Sequence, residues 1–284
     1  MIKFENVSKS YGDTHALDAV GFELAEPGIY CLLGRNGAGK TTLLKCLAGH
    51  INATAGEITV NGARVNTLNM PPQISFIEAQ GKLFNFKIKD LIKYSAHLSD
   101  NFDREFAKSI VEKFKLDVNK RYRQLSFGMK TMVSTLLSLA SSADIIILDE
   151  PVLGLDAIVR DRFYTLLQES LASRPRIIIV STHLIDEMAR VTERVLVIDK
   201  GKLLDYFNIA ELDEKGYTIT GMTDAVTAAT AGLRVIGTKT MGGLTTASIF
   251  DRRIAVPKGC TMQAIGLQDY FIALVGGDEN EQLN

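Results

Sequence analysis

The chain has 284 residues, 46% of them hydrophobic, and a formal net charge of −1. That length implies one large domain with a smaller companion, and near-neutrality gives a nucleic-acid partner no support from bulk electrostatics. Three cysteines, Cys31, Cys46 and Cys260, lie far apart among apolar or small residues, so they show no metal spacing and imply a reducing compartment, and the opening residues lack the basic-then-apolar pattern of a secretory leader.

In chain order, residues 2–7 and 21–24 read as short strands, with Lys9-Ser10-Tyr11-Gly12 as a turn between them. Tyr11 is an exposed aromatic just upstream of the most specific stretch in the sequence. It either stacks on a base, worth about 1–3 kcal/mol, or packs on its own strand. The stretch is Gly34-Arg35-Asn36-Gly37-Ala38-Gly39-Lys40-Thr41, which matches the phosphate-binding pattern of Gly, four variable residues, then Gly-Lys-Thr. The apolar run 29–33 before it reads as a buried strand, and Thr42 onward reads as a helix. Gly37 and Gly39 let the backbone N–H groups curl inward at a helix N-terminus whose dipole favours an anion. Lys40 adds a full charge near the β and γ phosphates, and Thr41 supplies a hydroxyl for Mg²⁺. Residues 56–60 form a further strand, turned by Asn61-Gly62 into a hairpin at an antiparallel edge.

Between residues 81 and 124 the pattern becomes helical. Residues 88–98 and 102–114 carry apolar side chains at spacings of three and four, as in a separate helical lobe. Its Lys113, Lys115, Lys120, Arg121 and Arg123 are either a solvated face or an anion contact. Ser126, in Leu125-Ser126-Phe127-Gly128-Met129, is an ordinary helix N-cap signal. The weakly charged run 131–148 is broken by serines and Asp144, so it reads as a helix and a buried strand, not a membrane span. That strand, 143–148, ends in Asp149-Glu150-Pro151, as expected of a buried parallel strand delivering carboxylates at its C-terminal edge. Beside a phosphate loop, Asp149 suits Mg²⁺ and Glu150 suits orienting or deprotonating the attacking water. Leu155-Asp156 stands at a turn before a helix over 160–171. The strand 176–180 ends in Ser181-Thr182-His183, where His183 either reaches the γ-phosphate or caps the helix that follows. Strands at 195–198 and 202–206, joined by Asp199-Lys200-Gly201, close this domain.

In this order the motifs over residues 1–206 resemble the nucleotide-binding subunit of an ATP-binding cassette (ABC) transporter. The resemblance implies an α/β fold: a P-loop NTPase core with an antiparallel β subdomain and a helical subdomain (about 81–134), plus a small α+β C-terminal domain. It implies that Tyr11 stacks on adenine, that Gly34, Asn36, Gly37, Ala38, Gly39, Lys40, Thr41 and Thr42 bind ATP, and that Asp149 and Glu150 are the magnesium-associated and catalytic acids. It further implies that His183 is the switch histidine and that Asp156 lies in a loop crossing a dimer interface. Residues 125–129 resemble the signature Leu-Ser-Gly-Gly-Gln. In a head-to-tail pair Ser126 and the Gly128 backbone would face the ATP bound by the partner. Phe127 and Met129 depart from that signature. The family's glutamine loop places Ala79 where Gln or Glu belongs, so Gln80 or Glu78 must substitute, with Gln80 favoured as the metal-side residue.

Beyond residue 206 the resemblance implies a linker (207–216), an accessory domain (217–276) and a frayed acidic tail (277–284). Short strands are expected at 217–219, 233–236 and 245–250, with helices at 224–231 and 267–274. The final helix should bury Leu267, Tyr270, Phe271 and Leu274 in a contact. The expected function is an ATPase with ATP and Mg²⁺, working as a homodimer or heterodimer with separate transmembrane permease subunits. It would sit on the cytoplasmic inner face of the membrane and power export of a drug, peptide or antibiotic, with no nucleic acid. The alternative class is a soluble ABC ATPase acting on ribosomes or DNA, and a third is a nucleotide-sensing module without turnover.

Overall fold

The computed structural model describes residues 1–78 and 83–280, with side chains through residue 276. The chain opens with a long antiparallel hairpin, β1 (Ile2–Tyr11) and β2 (Thr14–Leu24), followed by β3 (Gly28–Leu33) and α1 (Lys40–Leu47). A second hairpin, β4 (Ala55–Val60) and β5 (Ala63–Arg64), leads to β6 (Ile74–Glu78) and then to a helical layer of α2 (Ile88–Leu98), α3 (Arg104–Lys113) and α4 (Phe127–Leu139). Strands and helices then alternate through β7 (Ile145–Asp149), α5 (Ala157–Ser173), β8 (Ile177–Ser181), α6 (Ile185–Ala189), β9 (Arg194–Asp199) and β10 (Lys202–Asn208). The C-terminal part comprises α7 (Ile209–Lys215), β11 (Gly216–Met222), α8 (Thr223–Thr230), β12 (Val235–Met241), β13 (Leu244–Phe250), β14 (Thr261–Ala264) and α9 (Leu267–Asn280).

A six-stranded sheet in the order β10-β9-β3-β8-β7-β6 carries the site, and β9, β3, β8, β7 and β6 run parallel. Its central strands are fully buried and largely apolar because both faces are covered. Alternate residues serve two different cores, as the two-residue period of a strand dictates. Ile29, Cys31, Ile146, Leu148, Ile178 and Val180 face the core shared with the helical layer. Tyr30, Leu32, Ile145, Ile147, Ile177 and Ile179 face the core under the antiparallel sheet β2-β1-β4-β5. No described helix is long and apolar enough to cross a membrane.

Several sequence expectations are corrected by the backbone. Residues 9–11 extend β1 instead of turning, and the reversal falls at Gly12, whose φ is +56°. The expected linker is a helix, α7, whose N-cap Asn208 forms a capping box with Glu211 and whose Leu212 is buried. The strand expected over 233–236 begins at Val235 and continues to Met241, because β12 and β13 pair around a turn at Gly242 and Gly243, both at positive φ. The final helix does not fray at residue 277 but runs on to Asn280.

The C-terminal sheet, β12-β13-β11-β14, has a small core of its own around Tyr217, Ile219, Val226, Ala247 and Ile249. Its other side belongs to the main core. Phe207 on β10, Phe250 on β13 and Tyr270 on α9 form an aromatic triad with ring centroids 5.0–5.1 Å apart, and Leu267 and Tyr270 are buried while Phe271 and Leu274 are half-buried. Phe250→Ala is therefore expected to destabilise the whole chain by about 3–5 kcal/mol, the usual loss for a buried Phe. Urea unfolding followed by circular dichroism should shift as one transition; a C-terminal part that melts early while the main transition stays put would show that the triad does not unite the two.

Candidate active site

At the end of β3 the backbone turns through Gly34 to Gly39 into α1, whose first residue is Lys40. Gly39 has φ +105°, and an added Cβ would sit 2.4 Å from the Ala16 carbonyl oxygen on β2, so both its conformation and its surroundings require glycine. The loop is stapled to its neighbours: Gly201 N–H donates to the Ala38 carbonyl at 3.0 Å, and Asp18 N–H donates to the Gly201 carbonyl at 2.9 Å. Because the N-cap of α1 is glycine, no cap side chain takes up the first amides of that helix. An anion is the partner such a helix start suits. Lys40 is buried, and its Nζ donates to the carbonyls of Gly34 at 2.7 Å and Arg35 at 3.3 Å, which lays the ammonium across the loop.

The register of the parallel strands sets the acids beside this loop. Glu78, Asp149 and Ser181 occupy one rung at the ends of β6, β7 and β8. Asp149 is buried, with Oδ2 accepting from Thr41 Oγ1 at 2.7 Å and Oδ1 accepting from Ser181 Oγ. Thr41 and Asp149 thus form an all-oxygen pair of the kind a hard cation such as Mg²⁺ takes. Glu150 follows at φ +52°, a left-handed conformation that costs a non-glycine residue about 1 kcal/mol or more. Its amide donates to both the hydroxyl and the carbonyl oxygen of Ser181 at 3.1 Å, which holds it there. The turn aims the Glu150 side chain away from that of Asp149, and Glu150 Oε2 accepts from His183 Nδ1 at 2.9 Å. Nδ1 therefore carries the proton in this contact, and Nε2 is left facing outward on a half-exposed ring.

The structure thus gathers residues 34–41, Asp149, Glu150 and His183 into one site, with Thr42 on the following turn of α1. An open cleft of about 430 Å³ runs between Gly34, Arg35 and Asn36 on one side and Thr182, His183 and Ile185 on the other, with Phe271 of α9 on its wall. Among the described residues no hydrogen bond joins Tyr11, Ser126, Gly128 or Asp156 to this cluster. Tyr11 ends β1, half-exposed, with Lys9 Nζ 5.1 Å from its ring centroid. Ser126 caps α4 by accepting from Met129 N–H, and Asp156 caps α5 by accepting from Val159 N–H at 2.9 Å. Gly128 packs against Leu155 and Gly154, where a Cβ would lie 2.7 Å from Leu155 Cδ2. The Phe127 ring seats on Gly154, which has no side chain to obstruct it, so the departure at 127 is absorbed by contact between these two loops. Lys113 pairs with Glu169, and Arg121 donates to the Asn85 carbonyl, in keeping with the solvated-face alternative.

Gln80 lies outside the described residues. Its alternative, Glu78, is bound to Lys45 Nζ on α1 at 2.6 Å, one helical turn beyond Thr41. Two residues that the structure places at the site carried no site assignment in the sequence. Ser181 holds both Asp149 and the Glu150 amide, and its signal was a hydroxyl at the end of the strand next to the acidic one. The sequence marks Phe271 only as part of the apolar face of the last helix, and its place at the cleft follows from tertiary packing.

A buried parallel strand, a glycine loop opening a helix and two acids at the end of the next strand but one define a P-loop ATPase. The family model for ABC transporters matches residues 17–153. An ABC transporter ATP-binding protein of Methanocaldococcus jannaschii is 36% identical over 75% of this chain and 80% of its own. The bacitracin transport ATP-binding protein of Enterococcus faecalis is 28% identical over 81% and 77%. Among solved structures, a dimeric bacterial ABC transporter cassette superposes with a TM-score of 0.64 at 23% identity, over 74% of this chain and 99% of that one. The chain belongs to the ABC transporter ATP-binding family, and its activity is ATP hydrolysis.

Two cysteines lie under this site. Burial pushes the Cys31 thiol on β3 up to about 12 and the Cys46 thiol on α1 up to about 11, so neither is a thiolate near neutrality. At pH 8 a thiol reagent should titrate Cys260 in the native protein and all three cysteines only after denaturation. Rapid labelling of Cys31 in the folded chain would contradict this packing.

Proposed function

We propose that two subunits pair head to tail around two ATP molecules and drive separate transmembrane subunits from the cytoplasmic face of the membrane, with export of a drug, peptide or antibiotic as the work done. The observation that carries this reading is the Thr41–Asp149 pair beside the His183–Glu150 pair. One set of groups suits holding phosphates and a cation, and the other suits handling a water. The dimer is supported by the pairing of the related cassette, and the cargo class by the relative that serves bacitracin transport.

In this reading the α1 amides and Lys40 receive the β and γ phosphates, while Thr41 and Asp149, with Gln80, hold Mg²⁺. The ion when bound neutralises charge on the transferring phosphoryl group. Glu150 orients the attacking water and takes its proton, and His183 fixes the Glu150 carboxylate and turns Nε2 toward the γ-phosphate. Tyr11 stacks on adenine. Ser126, which caps α4, and Gly128 in its first turn meet the partner's ATP, and Asp156 crosses at the same interface.

Lys40→Ala should abolish tight ATP binding, since the ammonium is the loop's one full charge buried against the phosphates. Equilibrium titration with a fluorescent ATP analogue checks this, and parent-like affinity would mean the loop is misassigned. Glu150→Gln keeps shape but removes the proton acceptor. Hydrolysis should drop by at least about 10²-fold, the low end for a general base, while ATP binding persists. Size-exclusion chromatography of that variant with ATP and Mg²⁺ should resolve a dimer; a variant that turns over at the parent rate would remove Glu150 from the mechanism.

A further inference from the structure

We propose that Phe271, on the last helix of the C-terminal domain, is a positioning residue for the His183 segment, so that this domain takes part in ATP turnover by holding the switch. The inference rests on the assignment of His183 given above. Its starting observation is that the cleft between the phosphate loop and the His183 segment is not closed by the ATPase domain alone, because its remaining wall is Phe271.

The placement of Phe271 is built, not incidental. The preceding residue, Tyr270, is fully buried, and its hydroxyl donates to Asp205 Oδ2 on β10. Burial holds that phenol well above its ordinary value, so it stays a neutral donor to the carboxylate. Arg234, entering from the C-terminal sheet, donates to the same Oδ2 at 2.6 Å and lies over the Phe250 ring at 5.4 Å. Asp205, only 13% exposed, therefore ties the last strand of the ATPase sheet to two points of the C-terminal domain. On its other side α9 lies flat on β12, so close that a Cβ on Gly237 would be 2.6 Å from the Ala273 carbonyl oxygen. With α9 fixed at Tyr270 and Ala273, the intervening turn has little freedom to move.

The switch segment needs such a wall. Ile185 and Met188 of α6 are buried in the main core, and Glu187 is bound on the outer side by Arg160 through two hydrogen bonds of 2.9 Å. Arg160 also donates to the Leu155 carbonyl, which fixes the far flank of α6 to the loop before α5. The near flank, with His183 half-exposed, opens onto the cleft that Phe271 also lines. A ring without donor or acceptor contributes no chemistry there. It limits where the imidazole can swing, and so where Nε2 points once the cleft is filled.

The experiment measures steady-state ATP hydrolysis against ATP concentration for full-length Phe271→Ala, Phe271→Leu, Tyr270→Phe and His183→Ala, each checked for thermal midpoint. A misplaced catalytic geometry costs up to about 10²-fold, so Phe271→Ala is expected to lower kcat roughly five- to twentyfold with KM for ATP within about twofold. Phe271→Leu, which keeps apolar bulk, should recover most of kcat. Tyr270→Phe, which keeps the ring but removes the bond from α9 to Asp205, should lower kcat in the same direction. Parent kcat in both Phe271→Ala and Tyr270→Phe, with His183→Ala inactive, would overturn the role of α9 and leave the switch assignment standing. A kcat loss in Phe271→Ala that Leu does not recover, accompanied by a lower thermal midpoint, would reduce the ring to a packing element and equally overturn it. Parent kcat in His183→Ala would instead remove the switch itself.

Discussion

The buried carboxylate of Asp149 is the constraint on which the site depends. It takes one hydroxyl from α1 and one from β8 on its two oxygens, and so joins β7 to its neighbouring strand and to the helix that follows the glycine loop. A buried charge of this kind is costly unless hydrogen-bonded, and here the two donors are themselves fixed. Thr41 is set by the glycine loop that starts α1, and Ser181 by the rung it shares with Asp149. The geometry of glycine loop, Asp149 and Glu150 is thereby a consequence of strand register, not of flexible loops.

The same serine makes the strained backbone at Glu150 tolerable. A left-handed glutamate is held by two hydrogen bonds from its own amide, and the gain is directional. Extended backbone would alternate Glu150 to the opposite face of the sheet from Asp149, into protein. The left-handed turn brings it instead to the open strand end, where His183 meets it. Strain at a functional residue, offset by bonds from a neighbouring strand, is the pattern expected where geometry matters more than stability.

Much of this was legible in the residues, for reasons that are local. The glycine loop is readable because only glycine fits where a Cβ would come within 2.4 Å of a neighbouring carbonyl oxygen, and β7 and β8 because strands covered on both faces must be aliphatic along their length. What could not be read depends on distant packing. The turn expected over residues 9–12 narrows to its last residue, because β1 pairs with β2 as far as Tyr11↔Thr14 and so extends the hairpin. The linker expected at 207–216 is overridden because Phe207 and Leu212 have core to bury in. Phe127, a departure when compared with a signature, becomes intelligible only once Gly154 is seen beneath its ring.

The C-terminal domain follows from the same physics. A four-stranded sheet with one small core of its own cannot bury both faces, so the second face has to find cover, and it does so through Phe250 and α9 on the ATPase domain. Once α9 is committed to that joint, the helix direction carries its next residue to the edge of the nucleotide cleft. A domain added for any purpose at this end of the sheet would be in mechanical contact with the switch segment, because β10, which anchors it, pairs with β9, and β9 with the strand that leads into the phosphate loop. Asp205 ties β10 to the C-terminal sheet through Arg234 and to α9 through Tyr270, and the residue after Tyr270 lines the cleft that His183 also lines.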